Sequence, residues 1–298
     1  MTDADDDQNV GAVVLAYHPD ASLVDNVLAL VPQVSAVVVV NNSPAAEPRL
    51  FDELRGIAGV EVVDLPGNLG VAAGFNAGMR RLFDAGHRYT VIFDQDSTAP
   101  PGLVQGLVDA YRSFGAGAGI VGPALRSGVT GHEFRRERGS GVGVRSTLIS
   151  SGALFSREVV ERIGLHDEGL FIDYVDHDIS LRAERRGLKN LKAFDVVLDH
   201  RFGGAVPRRI FGRDFFVADY SPMRQYYMSR NRLILVRRYG FGGWFWEDLS
   251  YMVKAWAKVL LFERDRGRKV GAFLRGARDG LRYDARHRDQ GAGAGTTS

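Results

Sequence analysis

The chain has 298 residues, 45% hydrophobic and 25% charged, with a formal net charge of +2. That length suits one large α/β core with room for an appendage, and no apolar run approaches the roughly 20 residues of a membrane-spanning helix. Cysteine is absent, which excludes disulfides, Cys-ligated zinc and thiol catalysis and suits a reducing, cytoplasmic setting.

Residues 1–9 are acidic and polar. They lack the basic start and apolar core of a signal peptide and read as a disordered arm. Val13–Ala16 is a short buried strand, followed by Leu23, Val27, Leu30 and Val31 at helical spacing. Val37–Val40 is a second strand, ending at Asn41-Asn42. Val60–Val63 is a third, running into Gly67-Asn68-Leu69-Gly70. A helix from about Val71 to Ala85 precedes a fourth strand, which stops at Asp94-Gln95-Asp96. Apolar strands alternating with helices predict a mainly parallel sheet covered on both faces. Ligands of such sheets bind beyond the carboxyl ends of the strands. Tyr17-His18, Asn41-Asn42, Asn68 and Asp94/Asp96 all fall there.

The glycine-rich stretch 113–145, with Arg135-Arg136-Glu137-Arg138, reads as a loop with a β-hairpin. Ser151-Gly152-Ala153 leads back into a strand. Helices are predicted over about Arg157–Ile163 and from Phe171–Asp178 to about Arg186. A last strand, Ala193–Leu198, ends at Asp199-His200.

Paired acids at a strand end supply hard oxygen ligands that suit Mg²⁺ or Mn²⁺, whose natural cargo is a diphosphate. The plain alternative is a solvated turn, with Ser97 or Thr98 capping the helix after Pro100-Pro101. The run Gly67-Asn68-Leu69-Gly70-Val71-Ala72-Ala73-Gly74-Phe75-Asn76-Ala77-Gly78 permits close backbone approach and places a helix N-terminus where phosphate is attracted. Its glycines also suit simple helix–sheet packing. Asp173, Asp176 and Asp178 form a second acidic cluster, with capping of a helix as its structural alternative.

Taken in order, Ala16-Tyr17-His18, Val39-Val40-Asn41-Asn42, the glycine run, Phe93-Asp94-Gln95-Asp96-Ser97, Ser151-Gly152-Ala153 and Phe171-Ile172-Asp173-Tyr174-Val175-Asp176-His177-Asp178 with Arg182 resemble family 2 glycosyltransferases of the GT-A type. Within that group the chain is most similar to bacterial rhamnosyltransferases, over about residues 10–205. The resemblance implies an α/β GT-A nucleotide-sugar fold over 10–238, a basic helical region over 239–288 and a disordered tail over 289–298.

The resemblance implies site roles as well. Ala16, Tyr17, His18, Asn41, Asn42 and Gly67 would line the donor site, with Asn68, Asn76, Asp94, Gln95 and Asp96. Asp96, with His200 and Asp94, would hold Mn²⁺ or Mg²⁺ on the donor diphosphate. Asp176 would deprotonate the acceptor hydroxyl, with Asp178 second in line because an Asp four residues before Arg182 is commonly a structural pair. Ser151, Gly152, Tyr174 and Asp178 would face the acceptor, joined by Arg224, Tyr227 and Arg230 of an R-x-Y-Y-x-x-R-N segment whose arginines and tyrosines suit diphosphate or acceptor.

Charge divides unevenly: residues 1–200 hold 18 Lys+Arg against 27 Asp+Glu, and 201–298 hold 20 against 9. A basic tail points to an anionic partner. Trp244, Trp246, Leu249, Met252, Val253, Trp256, Val259 and Leu260 recur at helical spacing, with Lys254 and Lys258 off that face. Val270, Phe273, Leu274, Ala277 and Leu281 follow beside Arg268, Lys269, Arg275, Arg278 and Arg282. Trp-rich apolar faces beside basic ones suit an interfacial membrane helix, or packing on the catalytic domain or a second subunit, which leaves room for an oligomer. The expected function is inverting, metal-dependent transfer of L-rhamnose from dTDP-L-rhamnose to a lipid-linked or polysaccharide acceptor, at the inner face of the cell membrane. A UDP-galactofuranose or hexose donor is the nearest alternative. A nucleotidyltransferase would need a glycine-rich, basic loop that residues 12–21 lack. A nucleic-acid-binding protein would leave the acidic strand ends unexplained.

Overall fold

The computed structural model describes residues 9–43, 48–127, 137–200, 206–210, 213–217 and 219–284. Of the expected disordered ends, 1–9 and 289–298, residues 1–8 and 289–298 lie outside these, as do Arg135 and Arg136. The chain divides into two compact units. The first comprises residues 1–171 and 175–201, and the second 172–174 and 202–298.

The first unit is built on a nine-stranded sheet. Its first strands are β1 (Val10–Ala16), β2 (Ala36–Asn41), β3 (Val60–Asp64) and β4 (Tyr89–Asp94), interleaved with helices α1 (Ser22–Leu30), α2 (Pro48–Arg55) and α3 (Val71–Asp84). These four strands run parallel in the order β3-β2-β1-β4. All of β1 is buried, as expected for a strand covered on both faces. Two apolar clusters flank the sheet, one around Leu23, Val27 and Leu107, the other around Phe75, Met79 and Phe155.

Beyond β4 come the short β5 (Ser97–Thr98), α4 (Leu103–Phe114), β6 (Ala118–Ser127), β7 (Val142–Arg145), β8 (Ala153–Ser156), α5 (Arg157–Ile163), α6 (Val175–Arg185) and β9 (Lys189–His200). The sheet continues past β4 through β8, β6 and β9 to β5, with β7 on β9. Ser97 and Thr98 therefore pair with β9. They do not cap α4, whose N-cap is Gly102 with no side-chain bond.

One expectation is corrected: the glycine-rich loop contains β6, a ten-residue strand inside the sheet. Gly119, Gly122 and Pro123 weaken its strand signal, because proline breaks a ladder. The sheet accommodates them through register irregularities between Ala118 and Val121 and between Pro123 and Ala124, as bulges do.

The second unit holds a hairpin of β10 (Val206–Ile210) and β11 (Arg213–Val217), then helices α7 (Pro222–Tyr239), α8 (Gly243–Phe262) and α9 (Arg266–Arg282). α9 lies backbone-close on α7: a Cβ at Gly276 would stand 2.2 Å from the Tyr226 carbonyl oxygen, and one at Gly280 2.5 Å from that of Arg230. The division between the units falls near residue 201, and α7 packs with α9 in the second unit.

Candidate active site

The parallel strands end level. Ala16 stands opposite Asn41, Asn41 opposite Asp64, and Leu15 opposite Asp94. The polar residues that follow therefore share one rim, as the strand pattern predicts. The rim is cross-linked by its own side chains. The Tyr17 amide donates to Gln95 Oε1 at 2.7 Å and the His18 amide to Ser43 Oγ at 2.8 Å. Asn41 Nδ2 donates to Asp64 Oδ1 at 2.8 Å. Asn42 donates to Asn68 Oδ1 and to the Gly70 carbonyl, both at 3.2 Å, and accepts from the Leu69 amide at 2.8 Å.

Several residues expected at the donor are engaged within the protein. Asn42 is buried, and its amide shapes the 67–70 loop. Asn76 is buried as well; it donates to the His166 carbonyl and Glu168 and accepts from the His166 amide, so it ties α3 to the segment before α6. Ala16 is core, and its carbonyl accepts from Asn42. At Gly67 a side chain would meet open space, whereas Gly70 has φ +91° and a Cβ there would lie 2.6 Å from the Phe171 carbonyl oxygen. Gly74 and Gly78 serve packing, since Cβ atoms there would stand 2.3 Å from Leu15 and 2.4 Å from Val13. The glycine run thus divides: its first part shapes the rim and its last part seats α3 on β1. Tyr17 and His18 remain open to a ligand, Tyr17 being exposed, with their rings edge to face at 4.4 Å.

Asp94, Gln95 and Asp96 are half-buried at the end of β4. The donor set fits a hard divalent cation: two carboxylates one residue apart and no soft ligand. Among the described residues no group of three or more His, Asp or Glu gathers, so the pair would make at most a partial shell. Mg²⁺ accepts such a shell because it keeps waters and takes substrate phosphate oxygens. The backbone of His200 ends β9 opposite Ser97, next in register to Asp96. Ser151, expected at the acceptor, is buried; its Oγ lies 2.7 Å from Ser97 Oγ and accepts from the Asp94 amide at 3.2 Å. Gly152 has φ +79°, and its amide donates to the Ile92 carbonyl. Both residues brace the acidic turn from beneath.

The Val71 amide donates to the Phe171 carbonyl at 2.6 Å. The loop after β3 and the segment leading into α6 therefore meet. Asp176 is the second residue of α6. Its Oδ1 accepts from the His177 amide at 2.8 Å and lies 2.9 Å from His177 Nδ1. Its side chain remains 20% exposed. Burial pushes its pKa up, but the charge and hydrogen bonds of His177 outweigh that and hold it below the ordinary carboxylate value, so it is ionised at neutral pH.

Asp178 is different. Its side chain is 1% exposed and meets Arg182 Nη2 at 2.6 Å, while Arg182 Nη1 donates to the carbonyls of Ile163 and Leu165. A carboxylate so enclosed offers no face to an acceptor, and the structural pair is what the spacing produces.

Tyr174 and the R-x-Y-Y-x-x-R-N residues belong to the second unit. Tyr174 is buried and donates to Asp248 Oδ1 at 2.6 Å. Arg224 forks onto Asp173. Arg230 stands 4.8 Å from the Tyr227 ring centroid and donates to Asn231. Tyr174, Arg224 and Arg230 thus each donate to a side chain of the same unit. Sequence reasoning missed Ser43, Asp64, His177, Arg232 and Asp248. Only His177, beside an expected base, carried a local signal.

Comparison with known proteins agrees with this architecture. The model of glycosyl transferase family 2 matches residues 13–168. The dTDP-rhamnosyl transferase RfbF of Shigella flexneri is 31% identical over 248 residues, covering 77% of this chain and 80% of that protein. S. aureus TarS 1–349 in complex with UDP-GlcNAc superposes with a TM-score of 0.61 at 11% identity, covering 90% of this chain and 81% of that one. GalNAc-T7 with UDP, GalNAc and Mn²⁺ gives 0.55 at 13% identity over 74% of this chain; the chain spans 47% of that enzyme's length. The fold is the GT-A type.

Proposed function

The chain belongs to glycosyl transferase family 2, and on that premise we propose that it moves L-rhamnose from dTDP-L-rhamnose to a hydroxyl of a lipid-linked or polysaccharide acceptor in cell-surface glycan synthesis, with inversion. The observation that carries the chemistry is the level strand-end rim with Asp94 and Asp96 at its mouth. The donor rests on the likeness to the Shigella enzyme. Asp94 and Asp96, with His200, would hold a divalent cation on the diphosphate, where it would supply Lewis-acid stabilisation of the departing nucleotide. Asp176 takes the acceptor proton. The acceptor oxygen then bonds the anomeric carbon from the side opposite the leaving group, and the bond from that carbon to the diphosphate oxygen breaks. Tyr17 and His18 present rings to the nucleoside.

The exposed face of α8 supports a seat at an anionic membrane surface: Trp246, Val253 and Leu260 recur every seven residues and are all exposed, with Lys254 beside them. No helix of the described residues is long and apolar enough to cross a membrane. Lys269 does not contribute to that surface, being buried between Asp219 at 2.5 Å and Glu263 at 2.7 Å.

The test compares dTDP release from dTDP-L-rhamnose with UDP release from UDP-galactofuranose, UDP-galactose and UDP-glucose, each with a lipid-linked acceptor mixture. A methyl or missing hydroxyl read by an apolar pocket changes binding by about 1–3 kcal/mol, so some leakage is expected. A clear preference for a UDP-sugar would overturn the donor and leave the transferase standing.

A further inference from the structure

The segment just before α6 is strained. Phe171, Asp173 and Tyr174 have φ of +66°, +61° and +65°. Positive φ is unfavourable for a non-glycine residue, and Asp tolerates it better than Phe or Tyr. Such strain persists only where the surroundings over-determine the backbone, and it gathers at sites where conformation matters for function.

Here the surroundings are the side chains of α7 and α8. Asn231, fully buried, donates through Nδ2 to the carbonyls of Ile172 at 2.8 Å and Asp173 at 2.9 Å. Arg224 donates to Asp173 Oδ1 from Nη2 at 3.0 Å and from Nε at 3.1 Å, with its guanidinium 4.2 Å from the Tyr220 ring centroid. Tyr174 donates to Asp248, and Asp248 in turn accepts from Arg232 Nε at 2.6 Å. Each of the three residues 172–174 is thus held by at least one bond, and the two charged partners Arg232 and Asp248 satisfy each other. The next residues in the chain are Val175 and Asp176.

We propose that the helices of the second unit clamp residues 172–174, and that Asn231, Arg224, Arg232 and Asp248 are positioning residues that fix where α6 starts and so how the Asp176 carboxylate is presented. The inference rests on the reading of Asp176 as the base. It gives the R-x-Y-Y-x-x-R-N segment a task that its spacing alone does not suggest: Arg224 and Asn231 grip the protein's own backbone and the Asp173 side chain. A displacement of about 1 Å at a reacting group can cost on the order of 10²-fold in rate, so loss of the clamp is expected in kcat and not in donor KM.

Four variants test this. Arg224→Gln removes the fork from a partly exposed position, and Asn231→Asp removes both donors at nearly constant shape. Asp173→Ala and Asp173→Gly lose the same carboxylate, but only glycine takes positive φ without cost. Arg224→Gln is expected to lower kcat about tenfold or more at unchanged donor KM, and to raise amide hydrogen exchange over residues 171–178 while the sheet stays protected. Asp173→Gly is expected to retain several-fold more kcat than Asp173→Ala. If Arg224→Gln and Asn231→Asp leave kcat and local exchange at the parent level, or if Asp173→Gly and Asp173→Ala are equally impaired, the clamp is wrong. Asp176→Asn, run in parallel, separates the two ideas: full activity there refutes the base, while the exchange data still judge the clamp.

Discussion

Asp176 and Asp178 lie two residues apart on one helix, yet the structure expects opposite consequences from removing their charges. Asp178→Ala leaves Arg182 without its carboxylate in a site where the Asp side chain is 1% exposed. Breaking a buried pair typically costs about 3–5 kcal/mol. Arg182 keeps two carbonyl partners at 2.8 Å, so about 2–3 kcal/mol is the expected loss. At about 2–4 °C per kcal/mol for a chain of this size, the melting temperature should fall by roughly 5–10 °C. Turnover below the melt should stay within a few-fold of the parent. Asp176→Asn keeps the shape of a partly exposed side chain and removes its basicity. Its melting temperature should move little, and kcat should fall by roughly 10²–10⁴-fold with donor binding intact. Thermal melts and nucleotide release on both variants decide the matter. If Asp178→Ala stays folded yet abolishes turnover while Asp176→Asn does not, the assignment of the base is reversed and the burial argument has failed.

Removing His177 should shift the acid side of the rate profile. Burial raises the Asp176 pKa and His177 more than offsets it, so His177→Ala should raise that pKa and move the acidic limb of kcat/KM to higher pH; an unmoved limb would count against Asp176. The stability linkage has the matching sign: a depressed carboxyl adds stability that is present above its unfolded pKa and lost as pH falls through the folded value. Excess EDTA should abolish transfer, and Mn²⁺ or Mg²⁺ should restore it to the parent but not to folded Asp96→Ala; full activity in chelator would refute the metal. Trp246→Asp combined with Val253→Asp should prevent co-sedimentation with anionic vesicles, as high salt should weaken it for the parent, whereas unchanged sedimentation would turn attention to packing between subunits.

The parallel half of the sheet was legible because fully buried strands such as Val37–Val40 advertise themselves as unbroken apolar runs, and because Asn41 and Asp94 interrupt those runs at the strand ends. β6 was hidden by its own glycines and proline, which suit bulges in the folded sheet and signal a loop in isolation. Asp178 could be suspected from its spacing to Arg182, since an i,i+4 pair is local. The clamp could not. Asp173 and Arg224 are 51 residues apart, and Tyr174 and Asp248 are 74 apart, so nothing in a window of one or two turns links them. The same holds for Asn76, whose partners lie 90 and 92 residues on. A motif asparagine looks the same in sequence whether it meets a sugar or a carbonyl of its own chain.

That ambiguity bears on how the rim works. Asn41, Asn42, Asn68, Ser43 and Gln95 are bonded to backbone amides, carbonyls or one another. Polar groups tied down in this way cannot swing toward a ligand without leaving buried partners unsatisfied, at a cost of about 1–3 kcal/mol each. Under the proposed function, their contribution to transfer would be to hold the strand ends in register. Preorganised polar groups need little rearrangement when charge develops in the transition state, which is why they are effective. The same logic extends to the proposed clamp on residues 172–174, where positive-φ backbone is held by side-chain bonds. On this view the rim and the approach to α6 are set by the protein's internal hydrogen bonds, and Tyr17, His18, the Asp94/Asp96 turn and Asp176 are the groups proposed to read the substrate directly.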